Sequence, residues 1–134
     1  MAARHLRKGR AGEEIARAFL LGHGYEILDV NWRSRYGELD LVCSKNSLVI
    51  FVEVKTRQGQ SRELPGEALT VKKRQRLVKA AGAYLSKNRL WNRSCRIDLV
   101  SVTLDTHHCQ LEHVENVVDY SEASGGGNTY WQPW

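Results

Sequence analysis

The chain has 134 residues, 42% of them hydrophobic, enough for one compact core and too few for two ordinary domains. Twenty Lys and Arg against fifteen Asp and Glu give a formal charge of +5 and a pI near 9.3, which favours polyanionic partners such as nucleic acid. No apolar run reaches the roughly eighteen residues that span a bilayer, the basic start MAARHLRKGR precedes no signal-type apolar core, and Cys43, Cys95 and Cys109 form no C-x-x-C pair. A soluble protein of the reducing cytoplasm, with no membrane partner, is the expectation.

From 9 to 24, GRAGEEIARAFLLGHG sets Ile15, Ala16, Phe19 and Leu20 at helical spacing, with Gly24 as a stop. YEILDVNWRS predicts a short strand, and GELDLVCSKNSLVIFVEVKTR, residues 37–57, predicts two more, because the apolar period there falls to two. RQGQSRELPGE, residues 57–67, has loop composition and the length of a mobile flap. A second helix is expected from about 67 to 86, with an apolar stripe of Leu69, Leu77, Ala80, Ala81, Tyr84 and Leu85. Lys72, Lys73, Arg74, Arg76 and Lys79 are expected on its other side. CRIDLVSVTLD and CQLEHVENVV predict two final strands. The Gly-rich tail from 121 to 134 is expected to be flexible, leaving one domain over 1–120. This order of elements points to an α/β fold, a mixed central β-sheet flanked by helices.

Charged residues in the strand pair call for an explanation. Phe51, Glu53 and Lys55 share one strand face, while SLVIFVEV is apolar on both, as in a strand covered from both sides. A two-residue turn at Asn46 and Ser47 pairs Lys45 with Leu48 and thereby sets Asp40 opposite Glu53. Opposed residues have Cβ atoms about 5 Å apart, close enough for two carboxylates to contact one divalent cation. Without a cation they repel and one takes up a proton. With Mg2+ or Mn2+ they could hold a water beside a phosphodiester, and Lys55 could act on that water or on the developing anion. On its own, E-x-K is also common on a solvated edge strand.

The segments GEEIARAFLLGHGYEIL, NWRSRYGELDLV, FVEVKTR, EALTVKKRQRL and RIDLVSV, in order and similarly spaced, resemble the YraN-type proteins from about residue 9 to 118. These are small bacterial proteins assigned to the restriction-endonuclease-like superfamily. The resemblance implies that superfamily's fold and its nuclease signature of an Asp followed by Glu-x-Lys, here Asp40, Glu53 and Lys55, with Asp40 and Glu53 as ligands of Mg2+ or Mn2+. Small Holliday-junction resolvases of the superfamily add a helix glutamate, which matches Glu13, and imply a homodimer that cuts two strands symmetrically. At about 100° per residue Glu13 lies on the row of Ala16 and Leu20, so it can lean toward the sheet while Glu14 points away. Lys73 and Asp98 also match recurring family positions, although Arg96 beside Asp98 on the same face suits a structural ion pair equally well.

Glu38 shares the face of Asp40 by period two and is open to a place in the site or a basic partner. Arg33, Arg35 and Arg57, with Lys72, Lys73 and Arg76 on the second helix, are candidate phosphate contacts. HHCQLEH brings His107, His108, Cys109 and His113 together, but strand alternation splits them between faces, which argues against a tetrahedral zinc site. Three cysteines do not make an iron–sulfur motif. The expectation is therefore a metal-dependent nuclease acting on DNA, at branched or structured sites. The alternatives are a non-catalytic nucleic-acid-binding module and an interaction protein on the same fold.

Overall fold

The computed structural model describes residues 2–59 and 69–118, with side chains from Arg10 onward. The elements are α1 (Ala2–Gly22), β1 (Glu26–Ser34), β2 (Gly37–Lys45), β3 (Leu48–Gln58), α2 (Val71–Lys87), β4 (Cys95–Leu104) and β5 (Cys109–Val114). The strands form one sheet in the order of the chain. β3 and β4 run parallel and the other neighbours antiparallel. A parallel pair needs a long crossover, and the segment containing α2 provides it. This is the mixed α/β sheet flanked by helices that the order of predicted elements points to.

Alternation along β3 explains why it is apolar throughout. Ile50 and Val52 pack with Ala16 and Leu20 of α1, while Val49 and Phe51 pack with Leu77, Ala81 and Tyr84 of α2. A strand buried on both faces has no polar side to alternate with. Glu53 continues the face of Val49 and Phe51, so it points toward the α2 layer. Cys43 and Cys95 are buried, and burial pushes each thiol up to about 12.

The β2–β3 hairpin turns as the sequence predicts. Asn46 and Ser47 both take positive φ, +52° and +67°, the left-handed pair of a two-residue type I′ turn whose twist suits the flanking strands. Pairing runs from Lys45↔Leu48 to Leu41↔Val52 in the expected register.

Element ends differ from expectation in three places. Helix α1 begins at Ala2, well before residue 9. Helix α2 begins at Val71 instead of near 67, because the Thr70 hydroxyl accepts the N–H of Lys73 at 3.1 Å and caps the first turn there. Strand β5 stops at Val114, short of 118, since Asn116 has φ +56° and sends its N–H to Asp98 Oδ1 at 3.0 Å. Most of the anticipated flap, residues 60–68, and the anticipated tail from 121, together with the domain limit at 120, lie outside the described residues. Among the described residues no helix is long and apolar enough to cross a membrane.

Candidate active site where the β2–β3 ladder opens

The β2–β3 pairing stops at Leu41↔Val52, one step before Asp40 and Glu53 would meet. There the Asp40 carboxylate takes over from the backbone, its Oδ2 accepting the Val54 N–H at 2.8 Å. On the other side of β2 the pleat is disturbed too. Asn31 of β1 has φ +52°, and the alternation slips around it: Val30 and Leu41 pack in the α1 layer, Trp32 and Leu39 in the α2 layer. Asp40 lies at this switch. The opening is a cleft of about 270 Å3 whose polar wall is Glu38, Asp40, Glu53, Lys73 and Arg76, with Tyr36 at its rim.

Electrostatics in the cleft are unbalanced. Burial first, and then the charge of Glu53, push the Asp40 carboxyl up to about 8, against the opposing hydrogen bond from Val54. The charges of Glu13 and Glu38 add in the same direction. Glu53 is only 9% exposed, and the Lys73 ammonium lies 3.0 Å from its Oε1. An ordinary protein interior would not hold one carboxylate paired and its neighbour driven toward the neutral form.

Lys73 corrects one expectation. The sequence reading sets it with Lys72 and Lys79 on the basic side of the helix, yet it lies over the sheet. The reason is helical spacing: 73, 77, 80 or 81, and 84 form one row, and Leu77, Ala80, Ala81 and Tyr84 are all buried. That row is readable in the sequence, since Lys73 stands four residues before Leu77.

The remaining candidates divide among neighbouring places. Glu13 lines a separate hollow of about 130 Å3 with Arg10, Glu14, Arg17, Val30, Asn31 and Leu41, so exposed Glu14, expected to point away, borders it as well. Its carboxyl is raised mainly by burial, opposed by a hydrogen bond from the Asn31 side chain, with the charges of Glu38 and Glu53 adding to the rise. Glu13 thus approaches from the α1 side and is felt electrostatically by both cleft acids. Lys55 is half-buried beside Ser101 of β4 and is not among the residues lining the cleft. Buried Arg57 follows two positions along β3, paired with Thr103. Arg76 lines the cleft and Lys72 is exposed on α2. Exposed Arg33 lies 4.0 Å from Glu38 and, with Arg35, lines a larger groove that shares Tyr36 with the cleft.

Asp98 belongs elsewhere. It points into the α1 layer, on the opposite face of the sheet from Glu53, and its side chain is fully buried. Arg96 binds it through Nε at 2.7 Å and Nη2 at 2.8 Å, His113 Nε2 lies 2.8 Å from Oδ2, and Tyr25 hydroxyl accepts from Arg96 at 3.1 Å. Burial alone would raise this carboxyl, but the hydrogen bonds from His113, Arg96 and Asn116 outweigh it and hold it below the usual range. The ion-pair reading of Asp98 therefore describes what is found. His107, His108 and Cys109 are exposed and His113 is engaged with Asp98. Among the described residues no group of three or more His, Cys, Asp or Glu is placed to hold a metal ion.

A family model described as "Uncharacterised protein family UPF0102" matches residues 12–102. A UPF0102 protein of Nitratidesulfovibrio vulgaris is 46% identical over 132 residues, covering 98% of each chain. One from Lawsonia intracellularis is 38% identical over 126 residues, covering 94% of this chain and 96% of its own. Among solved structures, Pyrococcus furiosus SfsA in complex with Ca2+ aligns with a TM-score of 0.39 and 18% identity, over 83% of this chain and 63% of that one.

Proposed function

The chain belongs to the UPF0102 family, and we propose that it is a metal-dependent nuclease that hydrolyses DNA phosphodiester bonds in the cleft beside β2 and β3. The observation that supports this most directly is the convergence of Asp40 and Glu53 on one cleft, with Asp40 destabilised as an anion by burial and by its neighbour. A cation would relieve that cost, so the donor set suits a hard divalent ion.

Mg2+ typically keeps several waters and takes one or two protein carboxylates together with substrate oxygens, so two acids are a sufficient protein contribution. When bound, Mg2+ or Mn2+ would neutralise charge on the phosphodiester and lower the pKa of a coordinated water. Asp40 and Glu53 would hold it. Asp40 is kept in place by the Val54 N–H, and Glu53 by its position within the long buried strand β3. Lys73, released from Glu53, would turn its ammonium to the phosphate oxygens, with Arg76 beside it on the same wall. Lys55, two residues beyond Glu53 on β3 and outside the cleft lining, would act on the attacking water or the developing oxyanions, and Glu13, from its own hollow beside α1, would add negative potential. Symmetric cutting of both strands of a branched DNA calls for two clefts, so a homodimer is part of the proposal.

The test is cleavage of labelled single-stranded, duplex and four-way-junction DNA by purified protein with Mg2+, Mn2+ or EDTA. Cleavage that needs metal and falls at least about a hundredfold in Glu53→Gln supports the proposal, since that change removes a ligand charge and preserves shape. Metal-independent binding with no product under any condition would leave a non-catalytic binding module.

A further inference from the structure

A groove of about 880 Å3 adjoins the cleft and shares Tyr36 with it. Its aromatic lining is Trp32, Tyr36 and Trp91, and Trp91 is 48% exposed, an unusual state for so large an apolar ring. Its charged lining is Arg33, Arg35, Lys79 and Lys87, with no Asp or Glu among the lining residues. Arg35 is held against Tyr36, its guanidinium 4.9 Å from the ring centroid and Nη2 2.7 Å from the hydroxyl. The stretch WRSRY therefore contributes two rings with two arginines between them along one side, and α2 with the turn after it supplies the facing wall.

Resting on the nuclease reading above, we infer that this groove holds an unpaired DNA strand leading to or from the scissile phosphate. Bases in a duplex already stack on each other and hide their faces, whereas unpaired bases can lie on Trp91 and Tyr36. The four cations suit the phosphates between them. The preferred substrate class then carries a single-stranded segment next to the cut. An acidic protein segment would match the cations but gives no reason for the exposed ring of Trp91 between them, which a base would cover.

The test is fluorescence anisotropy in EDTA with a short labelled oligothymidine and a duplex of equal length, with thermal unfolding confirming that each variant folds. Wild type should bind the single strand more tightly, and binding should quench tryptophan fluorescence. Trp91→Ala should weaken single-strand binding by about tenfold, the loss of roughly one stacked base, and change duplex binding by less than about twofold. Trp91→Phe should retain most of the affinity. Arg35→Ala should lower the slope of log affinity against log salt by a little under about one, the contribution of a single phosphate contact. Equal binding of both DNAs, or unchanged single-strand affinity in Trp91→Ala, overturns the inference. Glu53→Gln separates the two proposals. If wild type never cleaves but Trp91-dependent binding persists in both proteins, the groove stands and the nuclease reading falls. If metal-dependent cleavage occurs without Trp91-dependent binding, the groove falls alone.

Discussion

Lys73, in the first turn of α2, places its ammonium 3.0 Å from Glu53 Oε1 on β3. A protein cation therefore already sits against one of the two acids proposed to hold a metal ion. It offsets part of the negative potential in the cleft, yet Asp40 remains strongly biased toward its neutral form. Lys73 and Arg76 together still leave the cleft with one more acid than base, since it contains Asp40, Glu38 and Glu53.

Removing that ammonium should separate binding of metal from turnover. In Lys73→Ala a divalent cation no longer competes with a tethered one, so Mn2+ affinity measured by calorimetry should rise, by about fivefold or more. Cleavage at saturating metal should nonetheless fall by about tenfold or more, because a cation facing the phosphate is lost. Lys73→Arg should keep part of both properties. Weaker Mn2+ binding in Lys73→Ala would contradict the competition described here.

Asp40 predicts an unusual pH dependence of stability without metal. Its folded carboxyl is raised from 3.8 to about 8, so the folded protein holds a proton there that the unfolded chain releases. The stability this provides is complete below about pH 4 and is lost as pH rises toward 8. Asn at this position cannot ionise and can still accept the Val54 N–H. In EDTA, Asp40→Asn and wild type should unfold at similar temperatures near pH 3.5. They should then diverge with rising pH, the variant gaining up to about 1.4 kcal/mol per pH unit inside the window. Added Mg2+ should narrow the gap by stabilising wild type alone. Parallel curves of Tm against pH would show that the acid pair is not frustrated.

Much of this site was legible because strands obey simple periodicity. Alternation put Glu53 on the face of Phe51, and the turn at Asn46 and Ser47 fixed a register that the pairing from Lys45 to Leu41 follows. What could not be read was how that ladder ends. Asp40 caps Val54 through its side chain, a local hydrogen bond with no periodic signature. Positive φ at Asn31 reverses the alternation of Val30 and Trp32, which a period-two reading carries straight through. Lys73 is a different case: it stands one turn before Leu77 on the inner row, and only its charge makes it read as part of the solvated side. The buried engagement of Asp98 by Arg96 and His113 joins residues from two strands, and only Arg96 was visible from spacing.

The hairpin turn invites a stabilising change. Ser47 takes φ +67°, where any L side chain is disfavoured, and it is exposed. Ser47→Gly should raise stability by about 0.5–1 kcal/mol in denaturant titrations, with unchanged m-value and unchanged metal-dependent cleavage. A loss of stability would mean that glycine's greater unfolded-state freedom outweighs the relief of strain.

Asp98 tests whether a family-matched acid belongs to the chemistry or to the fold. It is the acceptor hub of the α1 layer, buried beneath Arg96, His113 and the Asn116 N–H. Asp98→Asn would leave the Arg96 guanidinium, itself 9% exposed, without its principal counter-charge, at a cost of about 3 kcal/mol or more. Replacing both partners with Asp98→Leu and Arg96→Met should cost clearly less than that single change, because no buried ion is then stranded. The folded carboxyl lies below the ordinary range, so its contribution is present above that range and disappears as pH falls through the depressed value. Wild type should accordingly lose its advantage over Asp98→Asn only in strong acid, the reverse of the direction predicted for Asp40. Because Asp98 faces away from the cleft, Asp98→Asn should still cleave DNA at temperatures where it remains folded. A folded Asp98→Asn that binds DNA but shows no metal-dependent cleavage would move this residue into the catalytic centre.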